Sequence, residues 1–302
     1  MGNYQYPFFP LKEWEPTKET LHRYIQIVGK IRLANMPRKN HWWFITLYVN
    51  SRGLYTDSIS YNDFTFDIQF DFVDHQLRIH TSKGESGFFE LKNGLSVADF
   101  YARIIQELGA LGIETKIVAK PYDLSDEVPF DKCTMHNSYD NKKVNQAWQL
   151  LVGIDQIFKE FSGRSYSKTC PVHLYWHHMD LAVTRFSGKK GPPMPDAGPA
   201  DRDAYSHEVI SFGFWFGDKD VPNPAFYSYT YPSPEGIDKE EIAPSSAHWI
   251  DANGSPMAFL DYEEWRKLEN PKKALLDFLE STYQAGAKLA EWDIGNLRVD
   301  EI

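Results

Sequence analysis

The same order of parts occurs twice along this chain, and no other feature narrows the fold as much. Residues 24–31 (YIQIVGKI) resemble residues 148–155 (WQLLVGID), and 47–56 (LYVNSRGLYT) resemble 174–183 (LYWHHMDLAV). Residues 70–74 (FDFVD), 77–81 (LRIHT) and 88–91 (FFEL) are matched in order by 214–218 (FWFGD), 226–230 (FYSYT) and 257–260 (MAFL). An apolar helical stretch around Phe100 closes the first series, and one around Phe278 closes the second. Identity within each pair is low. What the pairs share is their order, with a spacing that grows as insertions into a duplicated unit would make it grow. This predicts an N-terminal lobe over residues 1–120, a connecting segment over 121–139 and a C-terminal lobe over 140–302. The second lobe then carries two long insertions, 187–203 and 232–253.

Each lobe reads as helix, about five strands, helix. Val97, Phe100, Tyr101, Ile104, Ile105, Leu108 and Leu111 fall at the spacing of one helical face, with Ser96 as N-cap and Gly112 as stop. Similar faces mark residues 20–33, 144–161 and 273–290. Between them, residues 64–72 (FTFDIQFDF), 77–81 and 209–216 (VISFGFWF) alternate apolar and polar side chains, as half-buried strands do. Alternation disfavours a parallel sheet, whose strands are apolar throughout. A Gly-rich dinucleotide loop between strand and helix is missing. The fold class expected is α+β: two similar halves, each an antiparallel meander sheet of about five strands with helices packed on one face. The 15% aromatic content suits such sheets, because flat rings pack well on a pleated surface.

A formal net charge of −10 argues against a nucleic-acid partner, since that affinity rests on cations neutralising phosphates. No run of apolar residues reaches the length of a membrane span. The N-terminal residues lack a secretory pattern, so the expected location is cytoplasmic. Cys133 and Cys170 form neither a disulfide framework nor a thiolate zinc site, and no motif calls for a cofactor.

Residues 9–14 (FPLKEW), 19–34, 40–43 (NHWW), 71–75 (DFVDH), 96–101 (SVADFY), 180–188 (DLAVTRFSG) and 205–215 together resemble a family of bacterial proteins of about this length, labelled only as a domain of unknown function. The resemblance covers nearly the whole chain and implies a bacterial, stand-alone protein. It transfers no catalytic residue.

In a simple meander, the two insertions leave the C-terminal sheet at the same end. The residues bordering them are therefore the candidate site: His207 as proton-transfer group, with Arg185, Tyr205, Glu208, Tyr229 and Tyr231 as ligand-binding groups. Arg185 offers a fork of donors for carboxylate or phosphate, and an imidazole such as that of His207 is the side chain suited to moving a proton in neutral water. Alternation places His207, Val209 and Ser211 on one face and Glu208, Ile210 and Phe212 on the core face. Glu208 then needs a buried partner, and a structural Arg185–Glu208 pair is the competing reading. His173, His177 and His178 read as residues of a hairpin without metal, because residues 177–180 replace the turn 50–53 of the first lobe. Asp74 and His75 likewise read as turn residues, and His41, Trp42 and Trp43 as packing. No nucleophile motif occurs, and Lys189-Lys190 lacks the spacing of a phosphate loop. The function expected is a pocket that binds or processes a small anionic molecule. The alternative is a non-catalytic interaction or dimerisation module using Trp42, Trp43 and Trp249; the oligomeric state is not legible.

Overall fold

The computed structural model describes residues 6–299. Two six-stranded antiparallel sheets organise the described residues. The first contains β1 (Tyr48–Val49), β2 (Gly53–Tyr55), β3 (Ile59–Tyr61), β4 (Phe64–Asp71), β5 (Gln76–Thr81) and β6 (Ser86–Glu90), in the order β1-β2-β4-β5-β6. The short β2 and β3 pair with successive parts of β4, Leu54 opposite Phe70 and Ile59 opposite Phe66. The second sheet contains β7 (His173–Tyr175), β8 (Asp180–Lys190), β9 (His207–Trp215), β10 (Ala225–Tyr231), β11 (His248–Ala252) and β12 (Ser255–Asp261). Its order is β11-β12-β10-β9-β8-β7. The long helices are α1 (Glu15–Asn35), α2 (Val97–Ala110), α3 (Asn141–Ser162) and α6 (Pro271–Leu289). The short ones are α4 (Pro199–Ala204), α5 (Tyr262–Trp265) and α7 (Ile294–Leu297). None is long and apolar enough to cross a membrane.

The α+β class with two sheet halves is as read. Helix starts follow from local chemistry: the Ser96 hydroxyl accepts from the Asp99 amide at 3.1 Å, satisfying one free N–H of α2. Val97, Phe100, Ile104 and Leu108 turn inward, and the Phe100 ring stacks on Tyr24 of α1 at 4.0 Å. In the second half, Phe161 of α3 meets Phe212 of β9 edge to face at 4.8 Å.

Each sheet has one strand more than the sequence suggests. The extra strand β11 lies inside the segment 232–253 that reads as an insertion. It forms a two-residue hairpin with β12 through Asn253-Gly254, both at positive φ (54° and 84°). That dipeptide suits a tight hairpin turn whose twist matches the strands.

The halves meet edge to edge. Leu47, just before β1, and Leu174 in β7 exchange two backbone hydrogen bonds, of 2.9 and 2.7 Å. These leucines occupy equivalent places in the repeated pattern. Each half's first helix also grips the other half's first hairpin. The His22 imidazole of α1 bonds the carbonyls of Trp176 and His177 at 3.1 and 3.0 Å. Reciprocally, the Trp148 indole of α3 donates to the carbonyl of Asn50 at 3.1 Å.

Candidate functional site

One face of the second sheet packs on α3 and α6; the other is the floor of a cleft of about 1810 Å³. Alternation sends Ile210, Phe212 and Phe214 into the core, while Val209 and Ser211 face the cleft. Antiparallel register then builds rows across the floor: Ala182, Gly213 and Tyr227 in one, Thr184, Ser211 and Tyr229 in the next. The opposite wall comes from elsewhere in the chain. Lys18 and His22 of α1, Trp42 and Trp43, and Tyr122, Asp123 and His136 of the connecting segment all line it. The volume exceeds the ~300–1,000 Å³ of ordinary ligand pockets, so a small molecule would fill one end only.

The two ends differ chemically. At the end where β8 leaves the sheet, the floor presents hydroxyls. Thr184 Oγ1 and Ser211 Oγ stand 3.0 Å apart, and the phenols of Tyr205 and Tyr229 stand 3.4 Å apart. Burial pushes the Tyr229 phenol well above its ordinary range, and Tyr205 reinforces this, so it stays a protonated donor at neutral pH. Helix α4, within the segment before β9, roofs this end. His41 Nδ1 donates to the carbonyl of Ala204 at 3.0 Å and the Trp42 indole to that of Ala200 at 3.0 Å. With Nδ1 protonated, His41 Nε2 accepts from Lys168 at 3.3 Å. Burial holds the His41 imidazole below its usual value. Both His41 and Trp42 sit in the left-handed region (φ 57° and 60°), a conformation costing about 1–3 kcal/mol each in side chains of this bulk. The clamps from α4 hold them there.

At the other end lies the hairpin tip between β7 and β8. Asp180 is buried, and its Oδ2 accepts from the Tyr227 phenol at 2.6 Å. Tyr227 reaches it by lying flat over Gly213, where a Cβ would stand 2.2 Å from the ring. His178 Nε2 meets Asp123 Oδ2 at 2.8 Å. Burial pushes the His177 imidazole down to about 4 and that of His22 to about 3, the latter helped by Lys18.

The six residues singled out from the sequence divide between the two faces of the sheet. Tyr205 and Tyr229 line the cleft, and the Tyr231 ring lies 4.7 Å from that of Tyr205. His207 is set behind them, edge to face with His41 at 5.5 Å and with Nδ1 3.2 Å from the Ser206 hydroxyl. Arg185 points the other way. It is opposite Ile210 across the β8–β9 ladder and shares its core side. There its guanidinium donates to the carbonyl of Phe161 at 2.6 Å and lies 3.8 Å from Glu280, so Glu280 takes the place expected for Glu208. Glu208 Oε2 is buried without a hydrogen-bond partner. The sequence reading passed over Tyr227, Asp180, Thr184 and, as cleft residues, His22 and His41. Tyr227 had a signal, since alternation groups it with Tyr229 and Tyr231.

The remaining motifs are structural. Asp71 Oδ1 accepts from the amides of Val73 and Asp74 (3.0 and 2.9 Å), closing the turn of residues 71–75. Lys189 caps the carboxyl end of α6 through the carbonyls of Ala290 and Glu291. Trp42, Trp43 and Trp249 are all partly buried against their own chain.

These features define an α+β protein of two joined antiparallel sheets, one of which floors a large cleft walled by the other half. The chain matches the family of unknown function DUF5996 over residues 6–299, and it belongs to that family. No curated protein and no solved structure matches it.

Proposed function

We propose that the protein binds a small anionic molecule at the hydroxyl-lined end of the cleft, beneath α4. The observation that carries this reading is the cluster of four hydroxyls: Thr184, Ser211 and Tyr229 on the sheet floor, with Tyr205 at the end of α4 beside them. Along β8, β9 and β10 the carboxylate facing the cleft is Asp180, at the opposite end, and the carboxylate lining the cleft from α4 is Asp201. Hydroxyl donors to a charged acceptor make stronger bonds than to a neutral one, about 1.5–3 kcal/mol each. A bacterial, cytoplasmic setting accompanies this reading; the family resemblance and two buried, unpaired cysteines support it.

The test is thermal stabilisation by a panel of mono- and dicarboxylates and phosphate monoesters, run in EDTA beside their neutral amide and alcohol analogues. Acidic members are expected to raise the melting temperature. Tyr229→Phe and Tyr205→Phe, which keep the rings, should each weaken binding by about tenfold or more. Equal stabilisation by neutral analogues, or undiminished binding in the double variant, would overturn the reading.

A further inference from the structure

The hairpin tip between β7 and β8 holds a second constellation that the anion reading does not use. The donor atoms of His177, His178 and Asp180 all lie within 4.8 Å of one another. Neighbouring residues on a strand point apart, but His177 and His178 sit in the turn, and their rings approach to 4.7 Å. Asp180 is 8% exposed, and its Oδ1 is buried with no hydrogen-bond partner. No Lys or Arg forms an ion pair with it among the described residues. A buried carboxylate with an unsatisfied oxygen is costly unless a cation meets it.

The surroundings are built to hold these groups in place. Tyr227 fixes one Asp180 oxygen from across Gly213, and Asp123 fixes the His178 ring, as outer carboxylates do for metal-bound histidines. His22 and Gln26 of α1 tie down the backbone carbonyl of His177. Met179, with its side chain buried, takes a left-handed φ of 58° at the centre of the turn.

We infer that His177, His178 and Asp180 bind a divalent transition-metal ion of the zinc or iron class at the hairpin end of the cleft. Two imidazoles and one carboxylate are a donor set for such ions rather than for magnesium or calcium. Ligands about 2.1 Å from such an ion stand roughly 3–3.5 Å apart, so side-chain rotation suffices to close the set. Three protein ligands leave a coordination position open, and here it opens on the cleft. That is the arrangement of a metal that meets a substrate rather than one that only staples a fold. The inference does not depend on anion binding beneath α4.

The test uses the metal alone. EDTA-stripped protein is titrated with Zn²⁺ by calorimetry and with Co²⁺ by visible absorption. One ion per chain is expected, with d–d bands showing nitrogen coordination. His178→Ala, at an exposed position, and the near-isosteric Asp180→Asn should each weaken Zn²⁺ binding at least a hundredfold. Tyr227→Phe should weaken it about tenfold, and His80→Ala, on the other sheet, not at all. Circular dichroism of the stripped variants checks their folding, and His178→Ala alone decides the matter if Asp180→Asn does not fold. Failure of stripped wild-type protein to bind Zn²⁺ stoichiometrically at micromolar concentration would overturn the inference. So would wild-type affinity in His178→Ala.

Discussion

A guanidinium with 1% exposure, as Arg185 has, survives only with partners on several sides. Its carbon lies 3.6 Å from the Phe161 ring centre and 4.5 Å from that of Tyr283, with the Phe161 carbonyl and Glu280 completing the set. Burial pulls this group down to about 10, countered in part by Glu280 and Tyr283. Arg185→Ala is therefore expected to cost about 3 kcal/mol in urea unfolding, while anion binding by the folded variant stays unchanged. Lost binding at unchanged stability would show that the side chain serves the cleft. Asp71 gives a prediction of opposite character. Burial alone would raise its carboxyl, but bonds from Arg52 and from the amides of Asp74 and Val73 outweigh burial and hold it below its ordinary value. A carboxyl depressed in the folded state stabilises above its unfolded pKa and loses that contribution as pH falls through the folded one. Asp71→Asn should thus be about 1–3 kcal/mol less stable at pH 7, with the gap closing well below pH 4. A gap independent of pH would refute the charge-based account. Which face each residue occupies was partly legible: alternation sorted His207, Val209 and Ser211 from Glu208, Ile210 and Phe212. It could not place Arg185, because that depends on register between two strands, and a one-residue slip moves every side chain to the other face. The ladder itself is irregular between Phe186 and Lys190.

Among the elements, α1 has two faces to satisfy: it covers its own sheet and also grips the hairpin of the other. Gly29 makes the second contact possible, since a Cβ there would stand 2.2 Å from the buried Trp176 indole. Replacing a mid-helix glycine with alanine ordinarily gains about 1 kcal/mol. Here the indole is enclosed and cannot retreat, so Gly29→Ala is expected to destabilise by about 1–3 kcal/mol, with partial recovery in Gly29→Ala/Trp176→Leu. A stabilised single variant would mean that the helix and hairpin part easily. The four long helices announce themselves through periodicity and caps, and β4, β5 and β9 through alternation. The three-residue β3 is too short for a pattern to emerge. By contrast, β11 was missed because its segment reads as an insertion, although the turn chemistry of the Asn253-Gly254 pair is a signal that could have marked the hairpin.

At the level of the whole molecule, the cleft belongs to neither half alone. Its floor is second-half sheet, and its far wall is α1 and the connecting segment. That explains why the sequence pointed to one rim of the cavity and missed the wall: alternation and insertions are local signals, whereas a wall supplied by distant residues depends on how the halves dock. The same docking bears on independence. The outermost strand of each sheet is short, and the amides of Leu47 and Leu174 are spent on one another. A fragment of residues 140–302 would leave that strand open and uncover Trp176, inviting further chains to pair there. Such a fragment is expected to self-associate in sedimentation, and a stable monodisperse monomer would count against it. Two backbone hydrogen bonds thus bear on the minimum size of this protein: each sheet supplies the other's missing margin, and cutting the chain between them is expected to leave two sticky remnants.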